Sequence, residues 1–201
     1  MPLPEGRDEV PGVVPMHIEN SMTRSVPASL LALTLAASPI AVHAQESAGG
    51  SRAGGTLVRP VLTAGLLTDG IRIDGRLDDE GWGGVEPAAG FIQGEPLEGI
   101  PAEHDTEIRI AFSGDALYVA ARMFDDDPES IADQLVRRDQ QGQYDFVRVQ
   151  LDPNLDRRTG YAFQVSAANV QRDEYLYDDE RQDDAWDAVW ESAVTRDDQG
   201  W

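Results

Sequence analysis

The 201-residue sequence contains no cysteine and no lysine. Without cysteine there is no disulfide framework, no thiolate nucleophile and no cysteine-ligated zinc or iron–sulfur centre. Without lysine the 16 basic residues are all arginine, set against 37 acids, for a net charge of -21. That balance excludes a sequence-independent grip on nucleic acid, which needs basic side chains gathered on the phosphates. It equally disfavours docking on an anionic membrane surface. Phosphate loops, dinucleotide fingerprints and a G-x-S-x-G elbow are also missing. What is present is a hydrophobic fraction of 41%, too high for a wholly disordered acidic chain, so a packed domain is expected.

Residues 22–44 read as a signal peptide. Arg24 supplies the positive start, Leu30, Leu31, Leu33 and Leu35 the apolar stretch, and Val42-His43-Ala44 a small-residue cleavage site. Pro27 and Pro39 oppose a buried helix, and the apolar run is too short for a membrane anchor. Met22 lies where translation would start, so residues 1–21 read as an upstream, non-native extension. The expected mature chain is exported after cleavage near Ala44, to the periplasm, the outer membrane or the medium. His104 is then its only histidine, and acids still outnumber arginines more than two to one.

Residues 45–65 begin Gly/Ser/Ala-rich and read as a flexible linker, with the folded domain over 66–201. There, short alternating segments separated by turn residues predict an all-β fold, an antiparallel β-sandwich of immunoglobulin or jelly-roll type with one or two short helices. Ile71–Ile73 is expected as a strand entering the turn Asp74-Gly75, and 78–85 as a short helix around Trp82. Ile108, Ile110 and Phe112 share the face of a strand that turns at Ser113-Gly114-Asp115 and returns over 117–124. Pro128 opens a short helix to Leu135. Further strands are expected over 146–151, 159–167, 170–177 and 189–195, with an acidic loop at 178–187 and a hairpin turn at 197–200. In the second of these, Tyr161, Phe163, Val165 and Ala167 form the expected inward face. The last hairpin has no return, so C-terminal strands are expected to be missing, leaving an open edge or an unmatched apolar face.

Several stretches, taken in order, resemble the family 9-like carbohydrate-binding modules. They are Ile73-Asp74-Gly75-Arg76-Leu77-Asp78-Asp79-Glu80-Gly81-Trp82, Thr106–Ile110, Asp115–Arg122, Arg137-Arg138-Asp139, Asp145-Phe146-Val147, Asp156–Tyr161, Gln171-Arg172-Asp173 and Trp186–Glu191. The version here is similar to the N-terminal domain of large exported bacterial proteins ending in an outer-membrane-type barrel. The resemblance implies a sugar ligand held between aromatic side chains at loop level, in an exported module linked to polysaccharide catabolism. It leaves two alternatives: a periplasmic structural or gating domain of an outer-membrane barrel protein, and, by association, a glycoside hydrolase.

Sugar binding needs aromatic faces for the pyranose ring and planar polar groups for its hydroxyls. Trp186, which ends a polar loop, is the leading candidate, against a rim-packing role. Tyr144, Tyr175 and Trp190 join it, with Arg138, Asp139, Asn169 and Gln171 as polar candidates. Trp190 shares a strand face with Ser192 and Val194 and also reads as core, as do Tyr161 and Trp82. No catalytic residue is assigned, because among so many acids a carboxylate pair carries no specificity. No cofactor is required. Asp152-Pro153-Asn154-Leu155-Asp156 starts like a calcium loop but has Arg157 and Phe163 where glycine and glutamate belong, so it reads as a polar turn. The acidic runs 125–127 and 178–184 leave a structural Ca²⁺ open, though a solvated charged loop is the favoured reading.

Overall fold

The computed structural model describes residues 16–21, 62–67, 69–94, 96, 98–178 and 181–201. The expected signal peptide lies outside these residues, as do the linker up to residue 61 and residues 1–15 of the expected 1–21 extension, whose residues 16–21 form a strand of the larger sheet.

Alternation of apolar and polar side chains produces two sheets and almost no helix. One has β2 (Gly65–Leu66), β3 (Thr106–Phe112) and β4 (Leu117–Met123) in that order, β2 parallel to β3 and β3 antiparallel to β4. The other has five strands: β1 (Met16–Ser21), β5 (Phe146–Leu151), β6 (Thr159–Ser166), β7 (Gln171–Tyr177) and β8 (Arg181–Asp183), antiparallel throughout. The all-β expectation is met. Among the described residues no helix is long and apolar enough to cross a membrane.

The β3–β4 hairpin closes as expected at Ser113-Gly114-Asp115, where the Ser113 hydroxyl donates to Asp115 (2.7 Å) and accepts the Ala116 N–H (3.3 Å). Ile108 and Ile110 are buried, but Phe112 is 41% exposed and the buried residue beside it is Ala111. Near the turn one face of the hairpin, with Ala111 and Tyr118, packs on a core, while the opposite face leaves Phe112, Leu117 and Val119 exposed. Ala111 and Ala120 pack against Trp82 and Val85 in one core, and Trp82 occupies the expected core position within a 3-10 turn, Glu80–Gly84. A second core joins Met123 and Ala121 of β4 to Val147 of β5, with Ile131, Ala167, Val194 and Trp201.

Several expected elements differ. Residues 71–73 form no strand: the Arg72 backbone and guanidinium are both held by the Asp79 carboxylate (3.1 and 3.0 Å) around the turn at Gly75. Gly75 has φ +80, and a side chain there would meet the backbone of Val194 at 2.8 Å. The helix from Pro128 stops at Ser130, well before Leu135. The chain is instead drawn out by Asp145, whose N–H bonds the Ala132 carbonyl (2.8 Å) and whose carboxylate takes the Ala132 N–H (3.1 Å). The acidic loop contains the short edge strand β8. Residues 189–195 belong to no strand, their polar groups being held largely by side chains.

The largest departure is in β6, where the face expected to be outward is the more buried one, although Ala167 of the expected inward face is buried in the second core. Gly160, Ala162, Gln164 and Ser166 are buried, while Tyr161, Phe163 and Val165 are only half-buried. Cross-strand register accounts for it: Ala162 lies between Gln150 and Glu174, and Gln164 between Arg148 and Arg172. Long neighbours bury small central residues whatever their polarity. The turn at 197–200 forms as expected, with Gly200 at φ +134. Trp201 then exchanges both backbone hydrogen bonds with Met123 (3.0 and 2.8 Å) on the outer edge of β4.

Candidate functional site

Strand register assembles a continuous row of aromatic rings on the five-stranded sheet. Tyr161 of β6 faces Tyr175 of β7, and Thr159 faces Tyr177, so period two sets Tyr161, Phe163, Tyr175 and Tyr177 on one face. Tyr175 and Tyr177 stack nearly parallel, with centroids 5.9 Å apart and planes at 15°. Tyr161 follows at 5.5 Å from Tyr175, and Trp186 lies 4.7 Å beyond Tyr161, tilted by 38°. Phe163 meets Trp186 edge-on at 6.0 Å and Trp190 edge-on at 5.4 Å. All six rings are half-buried, so the row keeps exposed surface while packing on itself.

Trp186 and Trp190 reach this face because the segment carrying them is clamped to β7. The keystone is Asp173, whose side chain is fully buried. One of its oxygens accepts from Arg138 and the other from the Ala188 N–H, each at 2.5 Å. Arg138 also donates to the Ala188 carbonyl (2.9 Å) and to Gln171 Oε1 (3.3 Å), and pairs with Asp187 (2.6 Å) and Asp139 (3.4 Å). Burial acts against the Arg138 charge, but the hydrogen bond to Asp173 and the surrounding carboxylates outweigh it and raise its pKa above the ordinary arginine value. Gln171 Nε2 donates to the Trp190 carbonyl (3.3 Å) and the Ser192 hydroxyl (3.0 Å). Asn169 Nδ2 donates to the Ser192 carbonyl (3.3 Å), and its Oδ1 accepts from the Ser192 hydroxyl (2.7 Å). Asp139, at φ 62, accepts the Asp173 N–H (3.3 Å).

The eight candidate residues therefore fall into three groups. Trp186, Tyr175 and Trp190 belong to the aromatic row. Arg138, Asp139, Asn169 and Gln171 are the struts that hold the segment. An open cavity of about 490 Å³ is lined by Arg138, Asn169 and Gln171 together with Leu135, Val136 and Glu191. Tyr144 stands apart: it is 6% exposed, its hydroxyl donates to the Gln140 carbonyl (3.0 Å) and its ring meets Phe146 edge-on. Tyr161, which reads as core in the sequence, and Tyr177, one of the aromatics available there, complete the row. The signal was in the alternation Tyr175-Leu176-Tyr177, which puts two rings on one face.

The Asp152–Asp156 segment is the expected polar turn. Asp152 accepts the N–H groups of Asp156 and Arg157, and Asp156 those of Arg158 and Thr159 plus the Thr159 hydroxyl. Asp125 likewise accepts the Asp127 N–H (2.7 Å). Among the described residues no group of three or more histidines, cysteines or acids is placed to hold a metal ion. No protein-family model matches this sequence, no curated protein matches it, and no solved structure matches its fold.

Proposed function

We propose that this chain is an exported, non-catalytic carbohydrate-binding module of the family 9-like kind. In this reading the two sheets stack as a β-sandwich, which the shared core of Met123, Ala121 and Val147 supports. The observation that carries the function is the half-buried row Tyr177–Tyr175–Tyr161–Trp186. Flat aromatic surface of this kind stacks on the apolar face of a pyranose ring, and a clamped loop presents it at low ordering cost. Export is supported by the leader pattern over 22–44. Titration with a panel of neutral mono- and oligosaccharides, followed by tryptophan fluorescence, tests the reading. A saturable change that disappears in Trp186→Ala is expected; a flat response across the panel overturns it.

One observation favours a second reading, a structural or gating domain of an outer-membrane barrel protein with a vestigial sugar site. Arg138, Asn169 and Gln171, the groups suited to sugar hydroxyls, are engaged in bracing the 187–192 segment. The same titration separates the two readings, because the second expects no sugar response.

A further inference from the structure

The two sides of the five-stranded sheet are built differently. One ends in β8, three residues long and exposed throughout, with Arg181 and Asp183 at its ends. Short, charged edges of this kind resist pairing with other chains. The other side would end in β5, Phe-Val-Arg-Val-Gln-Leu over 146–151, but for the six residues of β1 laid along it. β5 is rich in β-branched and large apolar residues, with no proline, no lysine and a single charge, Arg148. By composition it is an interior strand and depends on a cover.

β1 supplies that cover from the far side of the expected cleavage site. It runs antiparallel to β5 in one unbroken register, from Met16 opposite Leu151 to Ser21 opposite Phe146. No hairpin joins the two strands. Most of the chain separates them, so the match between the edges, and not a turn, brings them together. Glu19 takes the position opposite Arg148, in the row that continues through Gln164 and Arg172. Yet β1 precedes the leader pattern over 22–44, and cleavage after Ala44 severs it from every other strand. A strand of six residues cut free loses the effective concentration that kept it in place. β5 then becomes the open edge of a sheet reduced to β5, β6, β7 and β8.

We propose that, once the leader is removed, the β5 edge takes up an extended peptide of a partner protein by antiparallel strand addition, with an acidic residue opposite Arg148. The proposal rests on the export reading and is independent of the sugar reading. β1 is the template for the ligand: main-chain hydrogen bonds supply affinity, and the register position of Glu19 supplies the preference. Arg148 is half-buried and held by Glu174 at 2.6 Å, so its guanidinium is already oriented, and its planar fork has donors for a second carboxylate. Until cleavage, β1 keeps the edge closed.

The test expresses the whole sequence in an exporting bacterium and reads the first residue of the exported product by intact mass. The probe is a labelled peptide of residues 14–23 with blocked ends, followed by fluorescence anisotropy. The processed chain is expected to bind it saturably, and at least ten-fold more tightly than the uncut chain, whose edge β1 already fills. Alternate amides of 146–151 should gain protection from exchange, and a peptide carrying Glu19→Arg should bind at least ten-fold more weakly. No binding to the processed chain, equal binding to both forms, or no loss with the Glu19→Arg peptide overturns the proposal and leaves the export reading untouched. A processed chain that dimerises through β5 and excludes the peptide puts a second copy there and also overturns it. If the product is uncut, or does not fold once cut, the full sequence carrying both Ile18→Pro and Glu19→Pro decides instead. Successive N–H groups of a strand point to opposite sides, so the double change removes at least one ladder donor. This variant should exchange its 146–151 amides faster and take up the peptide; unchanged exchange or no uptake overturns the proposal. An uncut product together with uptake by this variant would remove the export reading and leave the β5 site standing.

Discussion

The Trp186 indole and the Tyr161 ring lie 4.7 Å apart at 38°, a residue from a loop placed over a residue from the middle of a sheet. Trp186 is half-buried and Tyr161 is held in a regular strand, so the pair has one fixed and one replaceable member. Trp186→Ala should weaken neutral-sugar binding about ten-fold or more while costing about 1–3 kcal/mol of stability, the scale of its two aromatic pairs with Tyr161 and Phe163. Fluorescence titration and urea unfolding measure the two separately. A large stability loss with unchanged binding would identify Trp186 as a packing residue.

Asp173 should be the more costly residue to change. Its buried carboxylate joins Arg138 to the Ala188 backbone, and Asp173→Asn weakens both bonds at once. Hydrogen bonds to charged groups contribute about 1.5–3 kcal/mol, so a loss of about 2 kcal/mol in urea unfolding is expected. Near-ultraviolet circular dichroism should also change, because Trp186 and Trp190 lose their clamp.

Gly200 approaches β4 so closely that a Cβ there would meet the Met123 carbonyl oxygen at 2.0 Å, and its φ is +134. Gly200→Ala must therefore displace the Gly200–Trp201 end from β4, at a cost above the usual 1 kcal/mol of a glycine replacement. A lowered melting temperature and faster amide exchange at Met123 are expected. An unchanged Met123 exchange rate would contradict the tight approach.

Acid should weaken the fold in a defined window. The pKa values of Asp79, Asp156 and Asp197 are all lowered, first by the backbone N–H of Arg72, by that of Arg158 and by the Arg122 guanidinium respectively. A carboxyl whose pKa is lower when folded binds its proton more readily when unfolded, so stability rises with pH through that range. The contribution is complete above about pH 4, the ordinary aspartate value, and is lost as pH falls through the lowered value. Melting temperatures between pH 7 and pH 2 should show this decline. In Asp156→Asn the acid limb should be shallower, and the variant and wild type should converge at the lowest pH.

Most of the local structure was legible in the sequence because it rests on local rules. Period two marked β3 to β7, Ser113-Gly114-Asp115 and the 197–200 segment marked turns, and Trp82 beside Val85 marked a core anchor. The misread elements share a cause, a distant partner outbidding a local preference. Asp145, Tyr144 and Gln143 draw residues 132–134 out of the helix that Pro128 starts, and Asn169, Gln171 and Asp173 hold residues 188–192 away from a ladder.

The sequence alone determined that the chain is strongly acidic, free of thiol chemistry and built of alternating β segments, since composition and side-chain period are properties of the chain itself. Only the tertiary structure decided what each face became. Alternation divides a strand into two faces without saying which is covered, and that depends on residues far away in sequence. Hence Tyr161 joins an aromatic row, Arg138 and Gln171 become struts, and Arg148 and Arg172 come to share one buried Glu174 across three strands.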